Sequence, residues 1–215
     1  MLITFNFNMS NEENILQNKK ILAIGPHPDD LELGCFGTLA RLSKNNEINL
    51  LILCKGDKKG DPEIRLKEAE NATKLINAKL FTAGIDDCFI KDDYETIQII
   101  EKYIHQISPD LIFVINGNDW HQDHKYCFNA VLSAARKNTN IISYESGSSF
   151  SFEPNLFVDI SDYVDIKIQA LGCHKSQFKK EEIEGVIKGV LLSHGFKLKR
   201  GGRFFEIFKI IRYAL

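Results

Sequence analysis

Two short clusters of histidine and aspartate in this 215-residue chain carry the residue types of a metal-dependent hydrolase. The first cluster, His27-Pro28-Asp29-Asp30, follows the apolar run 21–25, and the second, His121-Gln122-Asp123-His124, lies a few residues beyond the apolar run 111–115. A catalytic zinc ion takes three imidazole or carboxylate ligands and leaves one position open for water. Neither cluster supplies three ligands and a base by itself. Together they do, and we therefore expect one shared site.

The spacing within the first cluster separates two functions. His27 and Asp30 are three residues apart, so a turn or a first helical turn brings both side chains to one side. Asp29, between them, points elsewhere and is free to take the proton of an attacking water. The alternative is that Asp29 and Asp30 only cap a helix N-terminus, a position that aspartate favours. The preceding His-Pro and the second cluster favour the site.

The second cluster repeats this spacing. His121 and His124 are three residues apart at the predicted start of a helix, with Asp123 between them. One imidazole can complete the metal site while the other reaches a substrate carbonyl. A single loop histidine is usually a polar surface residue, but a partner cluster at a second strand end favours a shared site.

Apolar runs alternate with helical patterns along the chain and predict the elements that position both clusters. We expect strands at 21–25, 48–54, 79–81, 111–115, 141–144 and 156–159, and helices at 31–44, 62–77, 94–107, 123–137 and 161–177. This alternation predicts a Rossmann-like α/β fold, with a mostly parallel sheet and helices on both faces. Such sheets bind ligands beyond the carboxyl ends of their strands, where both clusters fall.

We predict a single domain over residues 1–215, with an N-terminal extension at 1–19. In the C-terminal part, 178–215, the pattern is weaker, and we expect a helix near 181–193 and a final strand at 203–212. Two long polar connections, 82–93 and 145–154, are expected to be either functional lids or plain surface loops.

Composition narrows the class of protein. Apolar residues make up 44% and charged residues 26%, as expected for an ordered globular chain, and the net charge of −2 argues against nucleic-acid binding. Residues 174–215 carry ten Lys and Arg against four Glu, which predicts either a solvated basic face or a wall beside an anionic substrate or membrane surface. The five cysteines are scattered, and we find no signal-peptide pattern, so we expect a cytoplasmic protein. We expect no transmembrane segment, because no apolar run reaches ~18 residues.

The motifs also resemble a known family. Residues 26–32 (Pro-His-Pro-Asp-Asp-Leu-Glu) and 121–124 (His-Gln-Asp-His) are similar to those of the PIG-L/LmbE-like zinc-dependent N-acetylglucosaminyl deacetylases. Segments 63–69, 157–162 and 174–177 are similar to further parts of that family. The resemblance spans about residues 20–177, with a looser similarity at 204–212. It departs at 34–37 (Gly-Cys-Phe-Gly), where the family often has paired glycines.

The resemblance implies a role for each matched residue. The metal ligands would be His27, Asp30 and His124. Asp29 would be the general base, His121 would polarise the carbonyl or stabilise the oxyanion, and Asp123 would orient a neighbouring imidazole. Zinc suits this donor set, although Fe²⁺, Co²⁺ or Mn²⁺ can also occupy such a site.

Arg65 would contact the substrate, by the same resemblance. The alternative is a surface helix residue paired with Glu63 or Glu68. His105, His174 and His194 have no partner cluster, and we expect them to be structural or surface residues.

The predicted reaction is removal of the N-acetyl group from an N-acetylamino sugar conjugate, with a nucleotide- or lipid-phosphate link as one option for the carrier. A thiol-conjugate amidase or another small-molecule amidohydrolase fits the same motifs. From a different class, a sugar-nucleotide transferase would use an acidic pair such as Asp86-Asp87 but would not need His124 as a ligand. The sequence lacks the Gly-x-Ser-x-Gly motif that would indicate a serine hydrolase. The sequence leaves the exact sugar and a homo-oligomeric state open.

Overall fold

Seven strands form one sheet in the part of the chain that the computed structural model describes, residues 17–137 and 140–214. They are β1 (Lys20–Gly25), β2 (Glu47–Cys54), β3 (Lys79–Ile85), β4 (Leu111–Ile115), β5 (Asn140–Tyr144), β6 (Leu156–Asp159) and β7 (Phe205–Arg212). Their order across the sheet is β3-β2-β1-β4-β5-β7-β6. The strands from β3 to β5 are parallel to their neighbours, whereas β7 is antiparallel to β5 and to β6. The predicted mostly parallel sheet is confirmed.

Helices connect the strands and form two packed groups. They are α1 (Asp30–Gly34), α2 (Phe36–Leu42), α3 (Pro62–Lys74), α4 (Tyr94–Ile107), α5 (Gln122–Ala134), α6 (Val164–Leu171) and α7 (Lys180–Lys197). α4 packs against α5, while α6 packs against α1, α2, α3 and α7. The chain moves outward from β1 to β3 through α1, α2 and α3, and it moves the opposite way from β3 to β5 through α4 and α5. Because parallel crossovers are right-handed, these two sets of helices cover opposite faces of the sheet. No helix in the described ranges is both long and apolar enough to cross a membrane.

Several predicted boundaries were wrong. The helix expected at 31–44 is divided into α1 and α2 at Cys35, whose φ of −141° and ψ of 6° are not helical. Next to this break, the ring of the buried Tyr144 fills the space beside Gly34, where a Cβ would lie 2.2 Å from its Cδ2. The helix expected at 161–177 begins with a 3₁₀ turn and ends at Leu171. Pairing with β2 extends β3 to Ile85. The predicted N-terminal extension lies mostly outside the described residues.

The predicted C-terminal helix and strand are present, and a buried ion pair joins that part of the chain to α1 and α2. The Lys167 ammonium donates to Glu206 Oε1 (2.7 Å) and to the carbonyl oxygens of Glu32 (2.9 Å) and Leu33 (2.6 Å). The Glu206 carboxylate also accepts from the amides of residues 37 and 38 at the start of α2. Sequence analysis did not predict this pair.

The strand order places a crevice at the centre of the sheet. From β1 the chain proceeds outward through β2 and β3, then returns to β4 on the other side of β1. Connections therefore leave β1 and β4 in opposite directions, which opens a crevice beyond their carboxyl ends. His27 lies two residues after β1, and His121 lies six residues after β4. The fold thus directs both clusters to this crevice.

Candidate active site

The three predicted metal ligands lie together in this crevice. Donor atoms of His27, Asp30 and His124 all lie within 4.8 Å of one another, and the three side chains are buried. His27 Nδ1 lies 3.1 Å from Asp30 Oδ2, and His124 Nε2 lies 3.6 Å from Asp30 Oδ1. Two imidazoles and one carboxylate are a common donor set for catalytic zinc. The described residues thus include a group that can hold a metal ion.

The second ring nitrogen of each imidazole faces a carboxylate. His27 Nε2 lies 3.2 Å from Asp123 Oδ2 and 3.2 Å from Asp87 Oδ1. His124 Nδ1 lies 3.0 Å from Asp119 Oδ2. Metal-binding histidines are typically held in this way, because the outer carboxylate fixes the ring orientation and the tautomer. The donors therefore fit a divalent metal ion in their surroundings as well as in their types.

The buried charges of the site act strongly on one another. Burial acts to lower the pKa of His27, but the carboxylates of Asp123 and Asp30 raise that pKa well above its ordinary value. Burial acts to raise the pKa of Asp30, yet the imidazoles of His124 and His27 hold it below the usual range. The protein thus keeps negative charge around imidazole groups, an arrangement that a cation stabilises.

Asp29 is not one of the three grouped donors, and its carboxylate contacts Arg65. Its φ of 110° lies in the left-handed region, and its side chain makes no capping hydrogen bond to α1. The Arg65 guanidinium donates to Asp29 Oδ2 (3.2 Å), Pro28 O (2.7 Å) and Gly56 O (2.9 Å). Burial and the neighbouring Asp30 raise the pKa of Asp29 to about 7, although Arg65 acts against this. A carboxylate with that pKa can both accept and return a proton near neutral pH.

Arg65 was predicted to contact the substrate or to lie on the helix surface. Its side chain is only 3% exposed, so the surface alternative is wrong. The described contacts direct it to Asp29 and to two backbone carbonyls. Substrate contact stays a prediction.

His121 is the N-cap residue of α5, and this position fixes its tautomer. The backbone N–H of Asp123 donates to His121 Nδ1 (3.2 Å), so Nδ1 is unprotonated and the proton of a neutral ring is on Nε2. Burial, with the charges of His27 and His124, lowers the pKa of His121. Its ring centroid lies 4.7 Å from that of His27 and 4.8 Å from that of His124. His121 is thus a neutral hydrogen-bond donor beside the ligand group.

The connection from 145 to 154 is tied to the loop that follows β4. The hydroxyl groups of Ser146 and Ser148 (2.6 Å) donate to the Asp119 carboxylate, and Ser148 Oγ also lies 3.5 Å from His124 Nδ1. An antiparallel bridge joins Asp119 to Ser149. This connection, predicted as a lid or a surface loop, supports the carboxylate that faces His124.

Sequence analysis missed Asp119 as a site residue, and it considered Asp87 only as part of an acidic pair for another class of enzyme. Asp119 is an isolated carboxylate in its loop, and the adjacent Asp86 and Asp87 have no histidine near them in the sequence to indicate a metal site. Both loops follow parallel strands at the same edge of the sheet as the histidine clusters. That shared position was the available signal.

The remaining predicted residues have structural positions. His174 is fully buried, with Nε2 3.4 Å from Glu32 Oε1, and the adjoining Ser176 binds Glu68 through its amide (2.8 Å) and hydroxyl (2.6 Å). His194 is buried with Nδ1 2.9 Å from the Phe205 carbonyl oxygen, and His105 lies in the last turn of α4. The segment resembling the distal half of the family therefore fastens α6 to α3.

Comparison with known proteins identifies the class. The family model described as PIG-L, GlcNAc-PI de-N-acetylase, matches residues 22–135, more than half of the chain, which therefore belongs to this family. The predicted family and the predicted enzyme class, a deacetylase, are confirmed.

Individual relatives agree with this membership. The chain is 34% identical over 173 residues to a protein of Escherichia coli (strain K12) described as uncharacterized deacetylase YaiS, covering 74% of this chain and 92% of that protein. It is 27% identical over 193 residues to a diacetylchitobiose deacetylase of Thermococcus kodakarensis, covering 76% and 72%. The solved structure of a conserved protein, TT1542, from Thermus thermophilus superposes with a TM-score of 0.81 at 26% identity, covering 92% and 96%.

Proposed function

We propose that this protein is a zinc-dependent hydrolase that removes the acetyl group from an N-acetylamino sugar conjugate. The observation that supports it best is the His27, Asp30 and His124 group, in which each imidazole has its other nitrogen against a carboxylate. The family description and the names of the relatives support the same reaction.

Zinc is the proposed metal because two imidazoles and one carboxylate are a common catalytic zinc set. When bound, zinc acts as a Lewis acid and lowers the pKa of a coordinated water from about 15.7 to about 7. His27, Asp30 and His124 would hold it. The metal ion would also offset the excess of carboxylates around these three residues.

Asp29 is the proposed general base and acid. It takes a proton from the attacking water as the water oxygen bonds to the amide carbonyl carbon. It then returns that proton to the amide nitrogen as the carbon–nitrogen bond breaks, which releases acetate and the amino sugar. The buried Arg65 holds the Asp29 carboxylate in place through one hydrogen bond and fixes the preceding carbonyl through another.

His121 is the proposed donor to the oxygen on which negative charge develops. Its Nδ1 accepts the Asp123 amide proton, so Nε2–H is directed away from the helix. A donor that is already oriented needs no reorganisation during the reaction, and such donors commonly contribute a factor of about 10²–10³ to kcat. Asp123 is the proposed positioning residue for His27.

The group to which the N-acetylamino sugar is linked stays a prediction. A nucleotide- or lipid-phosphate link was predicted partly from basic residues, but Arg65 is directed to Asp29, and Arg203 forms an ion pair with Asp159. Acetate release from a free and a phosphate-linked N-acetylamino sugar, at low and high salt, tests this link. A cytoplasmic location, a homo-oligomeric state and the choice among divalent metals stay predictions.

The test of the proposed function combines metal content with acetate release. Wild-type protein reconstituted with zinc should bind one ion per chain and release acetate from an N-acetylated amino sugar conjugate. His124→Ala should lose both the ion and the activity, whereas His105→Ala, a change in the last turn of α4, should retain both. Full zinc content in His124→Ala would overturn the ligand assignment. Zinc binding without acetate release from any of the conjugates would overturn the reaction.

A further inference from the structure

An exposed pair of aromatic rings stands beside the candidate site. Trp120 is 75% exposed and Phe150 is 51% exposed, and their ring centroids lie 4.8 Å apart with the planes tilted by 49°. Trp120 directly precedes His121 in the chain, so their Cα atoms are about 3.8 Å apart. Exposed apolar surface next to a catalytic crevice commonly marks the place where a ligand binds.

The two rings are fixed relative to the ligand group. The Trp120 amide donates to Ser148 O and the Phe150 amide to Asn118 O, both at 3.1 Å. Between these bonds lies Asp119, fully buried, whose carboxylate lies 3.0 Å from His124 Nδ1. The same pair of loops therefore supports a metal ligand and carries both exposed rings. These hydrogen bonds hold the aromatic pair in a fixed position beside the ligand group.

The charge of the loops around these rings favours a neutral ligand. Segments 86–95, 116–126 and 145–153, which follow the carboxyl ends of β3, β4 and β5, carry nine Asp and Glu against two Lys. Negative potential of this kind repels phosphate groups and anionic lipid surfaces, and it attracts cations such as the amine that deacetylation produces. A neutral sugar ring meets no such repulsion, and its C–H groups can stack on the electron-rich faces of aromatic rings.

Building on the proposed function, we propose that Trp120 and Phe150 form a subsite for the sugar ring next to the acetylated one. The favoured substrate is then a neutral N-acetylated disaccharide or longer glycan. Stacking at a ring remote from the amide stabilises the bound substrate and the transition state equally, so its loss raises KM and leaves kcat unchanged.

The chain supplies its own binding probe, because Trp120 is its single tryptophan. Titration of the wild-type protein with a neutral di-N-acetylated disaccharide should shift and change the intensity of tryptophan fluorescence. The N-acetylated monosaccharide at equal concentration should produce little change. A shift caused by phosphatidylcholine–phosphatidylserine vesicles, without one from the disaccharide, would overturn the proposal in favour of a membrane-contacting surface.

Steady-state acetate release on the zinc-loaded protein completes the test. Trp120→Ala should raise KM for the disaccharide about 5- to 10-fold, with kcat and monosaccharide kinetics unchanged, and Trp120→Phe should restore most of the loss. The matched control is Phe196→Ala, which removes an aromatic ring of 78% exposure from α7 and should change neither constant. Equal KM values for wild type and Trp120→Ala would overturn the subsite.

The two proposals fail in distinguishable ways. A disaccharide-induced fluorescence shift without acetate release would leave the aromatic subsite standing and reject the deacetylase reaction. Acetate release by a wild-type protein whose fluorescence does not shift, together with an unchanged KM in Trp120→Ala, would support the deacetylase reaction and reject the aromatic subsite.

Discussion

At the scale of single residues, the site combines groups that the sequence identifies with groups that it does not. The two clusters at strand ends predicted a shared site from residue types and spacing, and the resemblance to the family assigned His27, Asp30 and His124 as its ligands. Asp119 was missed, because its position after a strand end was the one available signal and its contact with His124 Nδ1, at 3.0 Å, depends on tertiary structure. The tautomer of His121 likewise depends on the backbone N–H of Asp123, which donates to His121 Nδ1. That N–H has no partner within the helix because it lies in the first turn of α5.

Asp29→Asn should separate proton transfer from metal binding. The asparagine side chain cannot take a proton from water, so we expect kcat to fall by about 10²–10⁴. Zinc content should stay near that of the wild type, since Asp29 lies outside the group of three ligands. Acetate release and elemental analysis of the same preparation measure both quantities. Turnover close to that of the wild type would show that another group is the base.

His121→Ala should remove an oriented donor and leave the three ligands in place. We expect kcat to fall by about 10²–10³ with KM little changed, because the hydrogen bond to the carbonyl oxygen strengthens as negative charge develops there. Kinetics at saturating and limiting substrate separate the two constants. An effect confined to KM would indicate that His121 only binds the substrate.

At the scale of elements, strands were easier to predict than the positions where helices break. The strands β1 and β4 are apolar almost throughout and buried on both faces, so their sequence alone identifies them. The division between α1 and α2 lies at Cys35, next to Gly34, against which the Tyr144 ring packs from β5. Such long-range packing leaves no trace in the local pattern. The support that the connection 145–154 gives to Asp119 was beyond sequence analysis for the same reason.

The Lys167–Glu206 pair is expected to hold the C-terminal strand to α1 and α2. Lys167→Met should lower the free energy of unfolding by about 3–5 kcal/mol, because it leaves a buried carboxylate without its cation. The double change Lys167→Met with Glu206→Gln should recover part of this loss. Urea denaturation measures each variant.

Lys188→Met is the matched control for that experiment. Lys188 pairs with Glu184 on the surface of α7, and exposed pairs of this kind contribute about 0–1 kcal/mol. Equal unfolding midpoints for Lys167→Met and Lys188→Met would contradict a stabilising role for the buried pair.

At the scale of the whole molecule, the strand order brings distant segments of the chain to one crevice. The ligand group combines His27 and Asp30, after β1, with His124 in α5. Asp87 and Asp119, which face these imidazoles, come from the loops after β3 and β4. The aspartates that surround the site are Asp29, Asp30, Asp87, Asp119 and Asp123. Gathering them places like charges close together, and a divalent cation relieves their repulsion. Metal binding should therefore stabilise the fold as a whole.

Thermal unfolding with and without zinc tests this coupling. Zinc in excess of its dissociation constant by about 1,000-fold stabilises the folded state by about 4 kcal/mol. For a chain of this size each kcal/mol corresponds to about 2–4 °C, so Tm should rise by roughly 8–16 °C over that of chelator-treated protein. Asp29→Asn should keep this rise, and His124→Ala should lose most of it because one of three ligands is gone. If zinc raised the Tm of His124→Ala as much as that of the wild type, the ion would be binding elsewhere, and the coupling between this site and the fold would have to be abandoned.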